Sequence, residues 1–271
     1  MKTSGERFFP LTVLIFSLGY LSYFFTKTVC VLFGAPLMLL LTPFPRAKYQ
    51  VLQTITHGVL GFFTRTWLPL LGVYRIAEIS GLESALATRP AILVANHRGF
   101  MDSILLLGLV PRMGVLIKSR DTKQPMYALL SKHFDLVSVD RDSLAHISSS
   151  LDRCRQVLAD GKFLLIFPEG TRARTGRLQS FNRIAFQLAI DTGLPIRSVL
   201  IHSTQPFMGK VPGSLFPRRR NEFRIRFLDL ETPQPDDDVD RLSERVHRRM
   251  ARELKTLDAG TVWETGRQNE S

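Results

Sequence analysis

The densest chemistry in this sequence lies in Leu93–Ser103, LVANHRGFMDS, where an apolar run ends in Asn-His-Arg and an aspartate follows His97 by five positions. Histidine is the one side chain that takes up a proton near neutral pH without a large perturbation. Asp102 could hold the imidazole through Nδ1 and leave Nε2 as a base. It could equally serve as a helix N-terminal carboxylate favoured by the macrodipole. Two further polar clusters follow apolar runs: Asp140-Arg141 after LVSV, and PEGTR (168–172) after FLLIF. Arg141 and Arg172 suit an anion such as phosphate, which a guanidinium binds with two parallel hydrogen bonds. Glu169 could touch a substrate or hold its own loop together. No Gly-x-Ser-x-Gly elbow occurs, so a nucleophile would come from the substrate, most simply as a hydroxyl.

These clusters meet only if the chain builds a sheet whose strand ends converge. Candidate strands are 73–79, 91–95, 113–117, 136–139, 163–167, 195–201 and 223–229. Between them, 143–160 carries a helical stripe of Leu144, Ile147, Leu151, Cys154 and Leu158, and 182–192 predicts a second helix closed by Gly193. Val239, Leu242, Val246, Met250 and Leu254 predict a surface helix, and residues 259–271 are expected to form a flexible tail. Strand–helix alternation predicts an α/β fold with a largely parallel sheet covered by helices, spanning 72–258. Ligands in such sheets bind outside the carboxyl ends of the strands, where all three clusters fall. The alternation FRIRFLD in the last strand predicts an edge or one-sided position.

The N-terminus differs from this domain. Residues 8–45 contain one charge, Lys27, and no small-residue cleavage site closes the apolar run. Residues 1–48 are therefore expected to anchor the chain in a membrane, as a helical hairpin around Lys27 or as a single span. Basic residues at both outer ends predict a catalytic domain on the cytoplasmic side of the inner membrane. Residues 49–71, with Val51, Leu52, Ile55, Leu60 and Trp67, predict an amphipathic helix that lies at the interface or packs on the domain. The 36 Lys and Arg against 24 Asp and Glu give a net charge of +12. Beside an apolar N-terminus, that charge points to membrane lipids, with no spacing suited to nucleic acid. The run RRRNEFRIR (218–226) could meet anionic headgroups or an acidic carrier protein, or be plain solvated charge. Cys30 and Cys154 form no disulfide framework, and the six histidines make no metal-ligand pattern. A base, an anion clamp and a substrate hydroxyl beside an anchor suggest acyl transfer onto a lipid.

The blocks themselves resemble those of the glycerolipid acyltransferases, the 1-acylglycerol-3-phosphate O-acyltransferases among them. NHRGFMD is similar to the Asn-His-x4-Asp block, LVSVDR to the apolar run ending in arginine, FPEGTR to the third block and GLPIRSVLI to the fourth. The resemblance covers roughly residues 72–230. It implies that His97 is the general base and Asp102 its partner. It implies that Arg141, Glu169, Gly170, Thr171 and Arg172 form the acceptor site, and that Pro195 shapes its floor. It further implies an acyl donor that is a thioester of acyl carrier protein or coenzyme A, with no metal or organic cofactor. The implied acceptor is 1-acyl-sn-glycerol 3-phosphate, giving phosphatidic acid. The sequence departs from the family pattern at Asn182 and Ile184, where a lysine and a glycine are common, and at Ser198 in place of a second proline. Another lipid acceptor, a thioesterase, or a non-catalytic lipid-binding module remain the alternatives.

Overall fold

The computed structural model describes residues 42–119, 135–140, 144–173, 175, 177–205, 207, 209 and 221–259, with five isolated positions before residue 41. The expected anchor up to residue 41, Arg141, and the tail beyond residue 259 lie outside the described residues. Among the described residues no helix is long and apolar enough to cross a membrane.

Seven strands form one sheet: β1 Tyr74–Ser80, β2 Ile92–Ala95, β3 Met113–Lys118, β4 Asp135–Val139, β5 Phe163–Ile166, β6 Ile196–Ser203 and β7 Asn221–Glu231. Their order is β1-β7-β6-β2-β5-β3-β4. Every neighbouring pair is parallel except β6 and β7. The short apolar runs form central strands because both parities are buried. Leu93 and Ala95 join one core cluster, Ile92 and Val94 the other, and Phe163 and Leu165 alternate likewise with Leu164 and Ile166. A run buried on both sides needs helices on both faces.

One face carries a helical stretch with three parts, α1 Pro45–Phe62, a π-helical segment Phe63–Trp67 and α2 Leu68–Leu70, together with α3 Leu82–Ala87 and α4 Phe100–Leu109. The other carries α5 Leu144–Ala159, α6 Ile184–Thr192 and α7 Val239–Asp258. Gly193 closes α6 at φ +66°, a left-handed position that favours glycine. Asp238 caps α7 by accepting the Arg241 amide at 2.8 Å.

The stretch 45–70 packs on the domain through its buried side chains Leu60, Phe63 and Leu68. Its close crossing with α4 is made by two glycines. A Cβ on Gly108 would stand 2.4 Å from Thr64 Oγ1, and one on Gly61 2.8 Å from the Gly108 carbonyl. His57 Nδ1 adds a 3.0 Å hydrogen bond to the Leu107 carbonyl. Phe62 and Leu70 on the same stretch, and Phe44 just before it, stay exposed.

Of the two positions expected for the strand around residues 223–229, the structure shows the one-sided one and not the edge: β7 lies between β1 and β6. Its alternating pattern arises from one-sided burial, since Phe223, Ile225 and Phe227 enter the core. Arg226 on the opposite parity pairs with Glu78 of β1 at 2.7 Å.

Candidate active site

Chain direction places the ends of β2, β3, β4, β5 and β6 on one rim, and the site grows from the turn between β2 and α4. Asn96, buried directly after β2, is the first fixed point. Its amide nitrogen donates to the Ile201 carbonyl at 2.9 Å and its amide oxygen accepts the Ile201 N–H at 2.8 Å. These two bonds continue the β2–β6 ladder through a side chain and set where the next residue emerges.

The next residue is His97. Its Nδ1 lies 3.0 Å from Asp102 Oδ2. The same oxygen accepts the Arg98 N–H at 2.6 Å and the Gly99 N–H at 2.8 Å. Three donors on one oxygen favour an ionised carboxylate, and an ionised carboxylate requires Nδ1 to carry the ring proton, leaving Nε2 as the acceptor. The Phe167 ring stacks on the imidazole with centroids 4.2 Å apart and planes 26° apart. The His97 side chain keeps 18% exposure while Asp102 keeps 4%, so the base reaches solvent and its partner does not. The turn is tight: a Cβ on Gly99 would stand 2.2 Å from the Phe207 carbonyl, and the φ of −146° there is one any residue adopts. Close approach alone requires the glycine.

The segment after β5 grips this turn from both sides. Glu169 Oε1 accepts the His97 N–H at 2.8 Å, and the Ala173 N–H donates to the His97 carbonyl at 2.7 Å. Glu169 Oε2 accepts the Gln179 N–H at 3.0 Å. Burial pushes the Glu169 carboxyl up to about 7, against the lowering effect of those two amide donors. Gly170 turns the chain at φ +64° and its N–H donates to Phe167 O at 3.0 Å. Gly170, Thr171 and Arg172 thus lie between two residues bonded to the His97 backbone, and all three are part-exposed.

Of the residues singled out in the sequence, His97, Asp102 and Glu169 are directly bonded, and Gly170, Thr171 and Arg172 adjoin them. Arg141 lies outside the described residues. The end of β4 that precedes it is three strands from β2, about 14 Å across the sheet. Pro195 does not shape this site. It precedes β6, and its carbonyl accepts the Ile92 N–H at 3.0 Å, at the entry end of β2. His97 is five residues further on, roughly 16 Å along the strand direction.

Two residues that the sequence left without a role have one here. Asn182 donates from its amide to Pro168 O and accepts the Ile184 N–H at 3.2 Å, tying the start of α6 to the Glu169 loop. Arg98, 4% exposed, is bound to Asp258, the last residue of α7.

Residues 76–202 match the family model described as Acyltransferase. Among curated proteins, the chain is 28% identical over 183 residues to the 1-acyl-sn-glycerol-3-phosphate acyltransferase LPAT1, chloroplastic, of Arabidopsis thaliana, covering 66% of this chain and 48% of that protein. It is 28% identical over 218 residues to the 1-acyl-sn-glycerol-3-phosphate acyltransferase of Cocos nucifera, covering 80% and 65%. The chain thus spans about half to two thirds of the length of these relatives. In fold it resembles the crystal structure of the 1-acyl-sn-glycerophosphate (LPA) acyltransferase PlsC from Thermotoga maritima, with a TM-score of 0.69 and 22% identity over 93% of this chain and 97% of that one. The part of the chain that matches the family model, residues 76–202, contains the His97–Asp102 turn and the Glu169 loop on one sheet rim.

Proposed function

We propose that the protein is a membrane-bound O-acyltransferase that moves a fatty acyl group from a thioester of acyl carrier protein or coenzyme A to the hydroxyl of 1-acyl-sn-glycerol 3-phosphate, forming phosphatidic acid. The observation that carries this reading is the convergence of three donors on Asp102 Oδ2, which leaves His97 Nε2 as an oriented acceptor at an accessible rim. Both curated relatives described above bear the name of this activity.

In this reading His97 Nε2 takes the proton of the acceptor hydroxyl as its oxygen attacks the thioester carbonyl. The tetrahedral intermediate collapses, the carbon–sulfur bond breaks, and the departing sulfur receives the proton from the imidazolium. Asp102 stabilises that imidazolium and stays ionised. Arg172, together with Arg141, binds the acceptor phosphate, and Glu169, Gly170 and Thr171 shape that subsite. The step uses no metal and no organic cofactor. Residues 1–48 hold the domain at the cytoplasmic face of the inner membrane, where both the lipid acceptor and a soluble thioester are within reach.

The test offers one thioester to the full-length protein with and without lysophosphatidate. Acceptor-dependent thioester loss with phosphatidate formation supports the reading. Fatty acid release without acceptor would make the protein a thioesterase, and no turnover with or without acceptor would leave a lipid-binding module.

A further inference from the structure

Outside the site, the strongest cluster of charged groups is fully enclosed. Arg98 donates through Nη1 to Asp258 Oδ1 at 2.7 Å and through Nη2 to Oδ2 at 2.5 Å. His202, at the exit end of β6 and 1% exposed, has Nδ1 at 2.8 Å from Asp258 Oδ1. Asp258 itself is 0% exposed. Local helix physics does not account for this aspartate. It is the final residue of α7, where the negative end of the helix dipole opposes an anion, and burial of a carboxylate is costly without partners. Arg98 and His202 supply the compensation, and their hydrogen bonds hold the Asp258 carboxyl below its ordinary range although burial acts the other way.

The arginine in this pair sits between the two members of the site. Arg98 follows His97 directly, and its own backbone N–H is the shortest of the three bonds to Asp102 Oδ2. A side chain anchored at both guanidinium nitrogens fixes that backbone, and with it the oxygen that orients the imidazole. Asp258 is 160 residues away in sequence, on a helix that packs on the opposite face of the sheet from α4.

We propose that Asp258 is a positioning residue for the His97–Asp102 pair, acting through its bidentate bond to Arg98, so that the docking of α7 sets the geometry of the base. This deepens the acyl-transfer reading and rests on it. Asp258 and His202 touch neither the base nor, on this account, the substrates.

The experiment compares D258N, R98M and the double variant R98M/D258N in full-length protein, with lysophosphatidate and an acyl thioester. Because small displacements of a reacting group cost up to about 100-fold in rate, each single variant is expected to lower kcat about 10–100-fold. The acceptor KM should stay within about twofold, since no binding contact is removed. D258N removes the carboxylate charge opposite a buried guanidinium and can fail to fold, whereas the double variant removes both charges and escapes that penalty. The double variant is therefore decisive: it should melt near the wild type yet be no faster than R98M alone, because the two residues act as one unit. The low-field resonance of the His97 Nδ1 proton should shift or broaden in all three variants. Recovery of wild-type kcat in a fully folded double variant, or multiplicative losses in it, overturns the proposal. If the wild type transfers no acyl group, the acyl-transfer reading fails, and the Nδ1 resonance alone decides the positioning role, an unchanged signal refuting it.

Discussion

At the scale of single residues, the site is built from one oxygen. Asp102 Oδ2 gathers the imidazole and two backbone amides, and that convergence gives His97 a defined tautomer. Replacing Asp102 with Asn keeps the shape but removes the charge. D102N should lower kcat by about 10²-fold or more while binding acceptor normally, as steady-state kinetics would show. Arg172 tests the anion subsite. R172A should raise the lysophosphatidate KM, and R172K should recover only part of that loss, because an ammonium cannot form the bidentate fork. Equal reaction with a neutral acceptor would remove the phosphate role. Glu169 offers a test through stability. Its folded carboxyl titrates near 7 against an ordinary value of 4.5. Between those values the unfolded chain ionises first, so the native state loses stability as the pH rises toward 7. Thermal melting should thus show the wild type losing ground to E169Q between pH 5 and pH 8; a constant or widening advantage for the wild type would contradict it. The spacing of His97 and Asp102 was legible because five positions across a strand–helix turn bring the pair together. Asp258 was not legible, since an acid at a helix end gives no local sign of a partner 160 residues upstream.

At the scale of elements, apolar runs of four to six residues are reliable strands here because helices cover both faces of the sheet. The internal β7 looked like a possible edge because alternation reports burial on one side, and β7 has an ion pair to β1 on the other. Pro195 was misplaced for a related reason: a residue before a strand lies at its entry end, and His97 with Asp102 lies at the exit end. The short helix α3 has too few residues for a period to show. The α1–α4 crossing gives an element-level prediction. G108A sets a methyl carbon against Thr64 Oγ1 and the Leu60 carbonyl, and overpacking of this kind costs about 1–3 kcal/mol. Chemical denaturation should register that loss; an unchanged midpoint would mean that the helices part without cost.

At the scale of the whole molecule, a basic domain follows a long apolar segment, and the exposed Phe44, Phe62 and Leu70 extend that apolar character onto the domain side. The composition points to this two-part plan, and the expected span lies outside the described residues. Insertion, as opposed to adhesion, predicts that the full-length protein stays in the membrane pellet after high-salt and alkaline carbonate washes. Release by salt alone would assign attachment to surface charge, which is screened over a Debye length of ~8–10 Å.

The central claim is that His97 is the base of an acyl transfer, and H97A tests it most directly. Phosphatidate formation from lysophosphatidate and an acyl thioester is measured for wild type and variant at equal folded concentration, verified by thermal melting. Loss of general-base help predicts a fall in kcat of about 10²–10⁴-fold with the fold intact. Wild-type turnover by folded H97A would contradict the account.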